Sequence, residues 1–103
     1  MHVLVIAGLA FPLDRDEAKW LEQRIRTTCV DASHRPRDMD ALACLQLADM
    51  LAEEHPGRRL EPIELTLLQA RGLLEYVLEP SIVQEHKMQE FSSALWKFIR
   101  DNS

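Results

Sequence analysis

The sequence predicts a mainly α-helical fold, a small four-helix bundle with one or two short β-strands at its N-terminus or edge. Three stretches carry that prediction. The first is residues 63–79, IELTLLQARGLLEYVLE. On a helical wheel of about 100° per residue, Thr66, Leu67, Ala70, Leu73, Leu74, Tyr76, Val77 and Leu78 cover more than half of the circumference. Arg71, Gly72, Glu75 and Glu79 share the other side, with Leu68 among them. A surface helix has a narrower apolar stripe, so neighbours should enclose this one. The second stretch is residues 38–54, where Ala41, Ala43, Ala48 and Ala52 alternate with Leu42, Leu45, Leu47, Met50 and Leu51. Small side chains let a neighbouring backbone approach closely. The third is Val3-Leu4-Val5-Ile6-Ala7, a continuous β-rich run of the kind found in strands buried on both faces.

Taken in order, the strand at residues 3–7 is punctuated by Gly8 and Pro12. A dinucleotide-binding unit also starts with a strand and a glycine. Gly8-Leu9-Ala10-Phe11 lacks its second and third glycines, and the chain has no room for the repeated strand–helix units. Asp14 then caps the first helix, with Glu17 three residues on as its reciprocal partner. Ala18, Leu21, Ile25 and Cys29 follow at helical spacing, with Trp20 to one side of the stripe. Acids open this helix, and Arg24 and Arg26 close it, as the helix dipole favours.

Residues 30–37 form a connector in which Pro36 stops any direct continuation. The alanine-rich second helix runs over residues 38–54 and ends at His55-Pro56-Gly57. Residues 58–65 are extended at best, and Pro62 restricts them to an edge strand that can pair with the N-terminal one. Thr66 and Gln69 cap the third helix, and Pro80 ends it. Ser81, with Gln84, starts a fourth, striped by Met88, Phe91, Ala94, Leu95 and Phe98 and closed by Lys97 and Arg100.

A faint internal repeat runs through this order. The spacing Leu13-Asp14-x-x-Glu17-Ala18-x-x-Leu21-x-x-x-Ile25 returns as Leu65-Thr66-x-x-Gln69-Ala70-x-x-Leu73-x-x-x-Val77. It suggests two extended–helix–helix units, although a capping box imposes half of the matches on any such pair.

The chain of 103 residues reads as one domain over residues 1–103, long enough to bury a core without metal or disulfide staples. A net charge of −5 argues against a general nucleic-acid binder and against docking on anionic membranes. Cys29 and Cys44 are too few for a secreted disulfide framework. The apolar run at residues 3–11 is too short to span a bilayer, and only His2 of a signal peptide's cationic region precedes it. The expected location is cytoplasmic.

No stretch carries chemistry with specificity. Cys29, His34, Cys44 and His55 are ligand types that zinc prefers, but their spacings match no finger, so no metal or cofactor is expected. Cys29 near Arg26 and His34 is the one candidate for a catalytic thiol; its bland reading is a buried cysteine ending an apolar stripe. The acid pairs Asp14 with Asp16, Asp38 with Asp40, and Glu53 with Glu54 lie at helix ends, where solvated faces explain them. Two basic loops, with Arg35 and Arg37 in residues 34–37 and Arg58 and Arg59 in residues 55–59, flank the second helix. A straight helix of that length holds them about 25 Å apart, so they read as two spots rather than one anion or nucleic-acid patch.

Trp20, Trp96 and Tyr76 remain. Large aromatics on the flank of a stripe either complete a core or anchor an interface. The function expected from this balance is a non-catalytic protein–protein interaction module: a regulatory, inhibitory or assembly subunit using Trp96, Trp20 and the open side of the last helix. Its partner would be another protein or, since a lone N-terminal strand edge wants pairing, a second copy. The rival readings are a small cysteine-dependent enzyme using Cys29 and His34, and an accessory nucleic-acid binder using the four arginines.

Overall fold

A computed structural model describes residues 2–53, 62–78 and 86–102. In chain order these form β1 (His2–Ile6), β2 (Leu9–Leu13), α1 (Arg15–Thr28), α2 (Met39–Ala52), β3 (Ile63–Glu64), α3 (Leu67–Gly72) and α4 (His86–Asp101). A π-helical turn, Leu73–Val77, continues α3. The protein is mainly helical, with a three-stranded sheet in the order β2-β1-β3.

The sheet is larger than the one or two strands expected, because Pro12 sits inside a strand rather than ending one. β1 and β2 make an antiparallel hairpin joined by Ala7 and Gly8, whose φ angles of 49° and 86° are those of a type I′ turn. That turn makes Ile6 and Leu9 a hydrogen-bonded pair, and alternation along the ladder makes Val3 opposite Pro12 a non-hydrogen-bonded one. The proline's missing N–H therefore faces the outer edge of β2, where the ladder loses nothing. The same alternation turns the Val5 carbonyl away from β2, and it accepts the Leu65 N–H at 2.9 Å on the other side.

β3 pairs with β1 in parallel, Leu4 beside Ile63 and Val5 beside Glu64. Of residues 58–65, expected to pair with the N-terminal strand, Ile63, Glu64 and Leu65 do so, while 58–61 lie outside the described residues, and β1 becomes the central strand. It has no lone edge, which removes that motive for a second copy. Nor is β1 buried on both faces: His2, Leu4 and Ile6 point into the core while Val3 and Val5 are half-buried.

Both expected capping boxes form. Asp14 accepts from the Glu17 N–H at 2.8 Å and Glu17 reaches back at 3.0 Å; Thr66 and Gln69 repeat the exchange at 3.2 and 3.0 Å. The helices that follow differ. α1 runs regularly for 14 residues, whereas α3 widens at Leu73, and the Leu78 N–H bonds the Leu73 carbonyl at 2.8 Å. The strands leading into them also run in opposite directions on opposite sides of β1. Arg24 of α1 donates its Nε to the Val77 carbonyl at 3.2 Å, satisfying the end of the π turn; the expected stop at Pro80 and the cap by Ser81 and Gln84 lie outside the described residues.

α2 lies between α1 and α3 and buries Ala41, Ala43, Cys44, Leu47, Ala48 and Leu51. Gly72, expected on the polar side of its helix, is buried instead, because its lack of a side chain admits the α2 backbone. Gln69 fastens the seam: its Nε2 donates to the Ala43 carbonyl, and its own carbonyl accepts from Cys44 Sγ, each at 3.3 Å. Around these helices Leu4, Ile6, Leu13, Leu21, Ile25, Phe91 and Leu95 complete one core.

Candidate interaction surface

α4 buries Phe91 and Leu95 and turns the opposite side outward. Phe91 meets Phe11 of β2 edge to face, with ring centroids 5.3 Å apart. That contact sets α4 beside the hairpin and leaves a trough between them of about 660 Å³. Leu9, Ala10 and Phe11 line one wall, and Gln89, Glu90, Ser93, Ala94 and Lys97 the other. A second hollow, lined by Ser93, Trp96, Lys97, Ile99 and Arg100, borders the first at Ser93 and Lys97, which stand between the two. Leu9 in the first is 55% exposed and Trp96 in the second is 62% exposed. Leu9 points to the core side of the sheet, in register with Ile6, but the hairpin tip carries it past the last covering residue.

The three aromatic residues singled out from the sequence sit on three different elements. Trp96 is on α4 and open; Trp20 is on α1 and 39% exposed. Tyr76 is in the π turn and is already engaged, its hydroxyl donating to the Asp38 carboxylate at the start of α2. The Arg37 guanidinium stands 5.9 Å from the centre of its ring. Donation from Tyr76 holds the Asp38 carboxyl below the usual carboxylate range, and the same bond pushes the Tyr76 phenol up to about 12. Tyr76 thus closes the seam between α2 and the π turn.

Of the four arginines, Arg35 and Arg37 lie within the described residues. Arg37 donates its Nε to the Thr28 carbonyl at 3.0 Å and lies over Tyr76. Arg35 is exposed on a loop folded around Asp31, whose carboxylate accepts the N–H groups of Ser33 and Arg35 at 2.8 and 3.1 Å. Arg58, Arg59 and His55 lie outside the described residues.

The thiols give a result that spacing did not reveal. Cys29 and Cys44 are fully buried and their sulfurs neighbour one another across the α1–α2 contact. The Cys44 hydrogen bond holds the Cys29 thiol down, and the same bond together with burial pushes Cys44 up. His34 is exposed on the loop, at φ 60°, while the groups against Cys29 are Cys44 and Thr28. A buried sulfur with no imidazole on it is not set up as a nucleophile. Two of the four zinc-type residues do meet, Cys29 and Cys44; His34 does not join them.

Among the described residues, the carboxylates of Asp38, Asp40 and Glu75 come within 4.8 Å of one another, close enough to hold a cation. Sequence reading assigned Asp38 and Asp40 to a helix start, and Asp38 does cap α2 by accepting the Ala41 N–H at 2.8 Å. Glu75 joins them only because the π turn brings it there, which spacing along the chain does not show. No described helix is long and apolar enough to cross a membrane. Comparison with protein-family models, curated proteins and solved structures found no match for this chain.

Proposed function

We propose that this protein is a non-catalytic protein–protein interaction module, a cytoplasmic regulatory, inhibitory or assembly subunit that meets another protein through the α4–β2 trough. The observation that carries this reading is the exposure of Leu9 in the trough and of Trp96 in the hollow that borders it along α4. Tryptophan held open on a rigid helix is the residue type that dominates binding energy at interfaces. The engagement of Tyr76 by Asp38 and the burial of Cys29 leave the trough as the better-formed surface.

A photo-crosslinking residue placed at Ser93, on the trough wall, tests this in the source cell. The expected result is a discrete protein adduct, identified by mass spectrometry, that disappears when Trp96→Ala or Leu9→Ser is added. An adduct pattern unchanged by both substitutions, or none at all, removes the reading.

A further inference from the structure

Cys29 and Cys44 take no part in lining the α4–β2 trough, and their chemistry is independent of its use. We propose that they form a redox-sensitive pair: a peroxide that reaches the end of α1 oxidises the two thiols to an internal disulfide, and a small dithiol reduces it again.

Packing argues first. Cys29 ends α1, and Cys44 lies within α2, whose packing against α1 brings the two sulfurs within hydrogen-bonding reach. Both residues are fully buried in one core, where close packing holds side chains in a single arrangement. An S–S bond between them calls for a local movement of two side chains, not a meeting of distant segments. The reduced pair is also satisfied as it stands. Cys44 Sγ donates to the Gln69 carbonyl at 3.3 Å, and Thr28 Oγ1 lies 4.0 Å from Cys29 Sγ. The fold therefore does not depend on a bridge, and forming one is a change of state.

Location argues second. Residues 31–37, just after Cys29, form an exposed loop. Arg37 ties its far end back: its N–H bonds the Cys29 carbonyl at 3.1 Å, and its Nε bonds the Thr28 carbonyl at 3.0 Å. Opening at this helix end breaks a few exposed hydrogen bonds and leaves the core in place, so it costs less than global unfolding. Peroxide is little larger than water, and the second sulfur is already inside. A thiol enzyme, by contrast, has to admit a whole substrate.

The order of attack follows from the hydrogen bond between the sulfurs. That bond holds the Cys29 thiol down, while the same bond and burial push Cys44 up, so Cys29 reacts first and Cys44 keeps its proton. The Cys29 thiolate attacks one peroxide oxygen and the O–O bond breaks. One oxygen stays on sulfur as a sulfenic acid, and the other takes up the Cys29 proton and leaves as water. Cys44 then attacks the Cys29 sulfur; the S–S bond forms, the S–O bond breaks, and the hydroxyl leaves with the Cys44 proton as a second water. The two sulfurs give up two electrons, and the peroxide takes them.

The test uses the reduced, folded full chain, treated with hydrogen peroxide without denaturant. The expected product is a monomer about 2 Da lighter than the reduced chain. A digest should join the Cys29 and Cys44 peptides, and dithiothreitol should restore the starting mass. Its melting temperature should rise by several degrees, because the bridge restricts the unfolded chain. Cys44→Ser should stop at a sulfenic acid on Cys29, trapped by dimedone, and Cys29→Ser should take up no dimedone. Overoxidation of Cys29 by about 32 or 48 Da in place of the bridge overturns the proposal. So does a disulfide between two chains, or a bridge that forms only in urea. Wild-type protein whose two thiols survive peroxide and alkylate after unfolding overturns it as well.

Discussion

Gly72 of α3 lies so close to Cys44 of α2 that no methyl group fits between them. A Cβ on Gly72 would collide with Cys44 Sγ and stand 2.7 Å from the Asp40 carbonyl oxygen. The Gly72 φ of −64° is ordinary helix, so space rather than conformation requires glycine here. Gly72→Ala gains about 0.5–1 kcal/mol of helix propensity but forces two helices apart, and overpacking of this kind costs about 1–3 kcal/mol. A net loss of stability is expected, seen as a melting temperature several degrees lower. Adding Cys44→Ala should not restore it, because the Asp40 carbonyl belongs to the backbone.

The bond from Tyr76 to Asp38 gives a pH signature. Asp38 stabilises the fold as a carboxylate and its pKa is depressed, so its contribution is present above the ordinary aspartate value of about 3.9 and is lost as pH falls through the lower folded value. Tyr76 contributes as a neutral phenol with a raised pKa. Its part is whole below the ordinary value of about 10 and is lost as pH rises through about 12. Tyr76→Phe should therefore lower the urea midpoint by a constant amount across neutral pH, and the gap to the wild type should close at both extremes.

Ala7 is a non-glycine residue in the left-handed region, in a turn where asparagine followed by glycine is preferred. An L-residue other than Gly or Asn gives up about 1–2 kcal/mol in that conformation. Ala7→Asn, at an exposed position before Gly8, should raise stability by about 0.5–1 kcal/mol, read from thermal unfolding. Gly8→Ala, at φ 86°, should do the reverse.

Pro12 protects the outer edge of β2. Pro12→Val keeps an apolar β-former in the strand and restores the outward N–H, completing a template for further pairing. The variant should remain folded and self-associate at concentrations where the wild type does not, which sedimentation velocity measures directly.

The sequence made the helices readable because their signals are local. Asp14 with Glu17, and Thr66 with Gln69, both formed the reciprocal caps their spacing implied. What it hid depended on contacts between distant segments. Pro12 looks like a strand terminator until the register shows which way its missing N–H points. Residues 66–79 look like one regular helix until Arg24, far away in the chain, takes the Val77 carbonyl at the end of a π turn. Trp96 was legible as a residue off the stripe of its own helix. The neighbouring trough was not, since Leu9 enters it only through the hairpin. Spacing also kept Cys29 and Cys44 apart, and only the packing of α1 on α2 joins them.

The parallel pairing of β3 with β1 sets an order of events at the ribosome. The hairpin can zip as soon as Leu13 has emerged, since both of its strands are then out of the exit tunnel. The far side of β1 has to wait until Leu65 is delivered to the Val5 carbonyl, after α1 and α2 have already been translated. For that interval the nascent chain displays a bare Val- and Leu-rich ladder. A message cut short before codon 63 would leave it so permanently, and its product should be the form of this protein that chaperones hold.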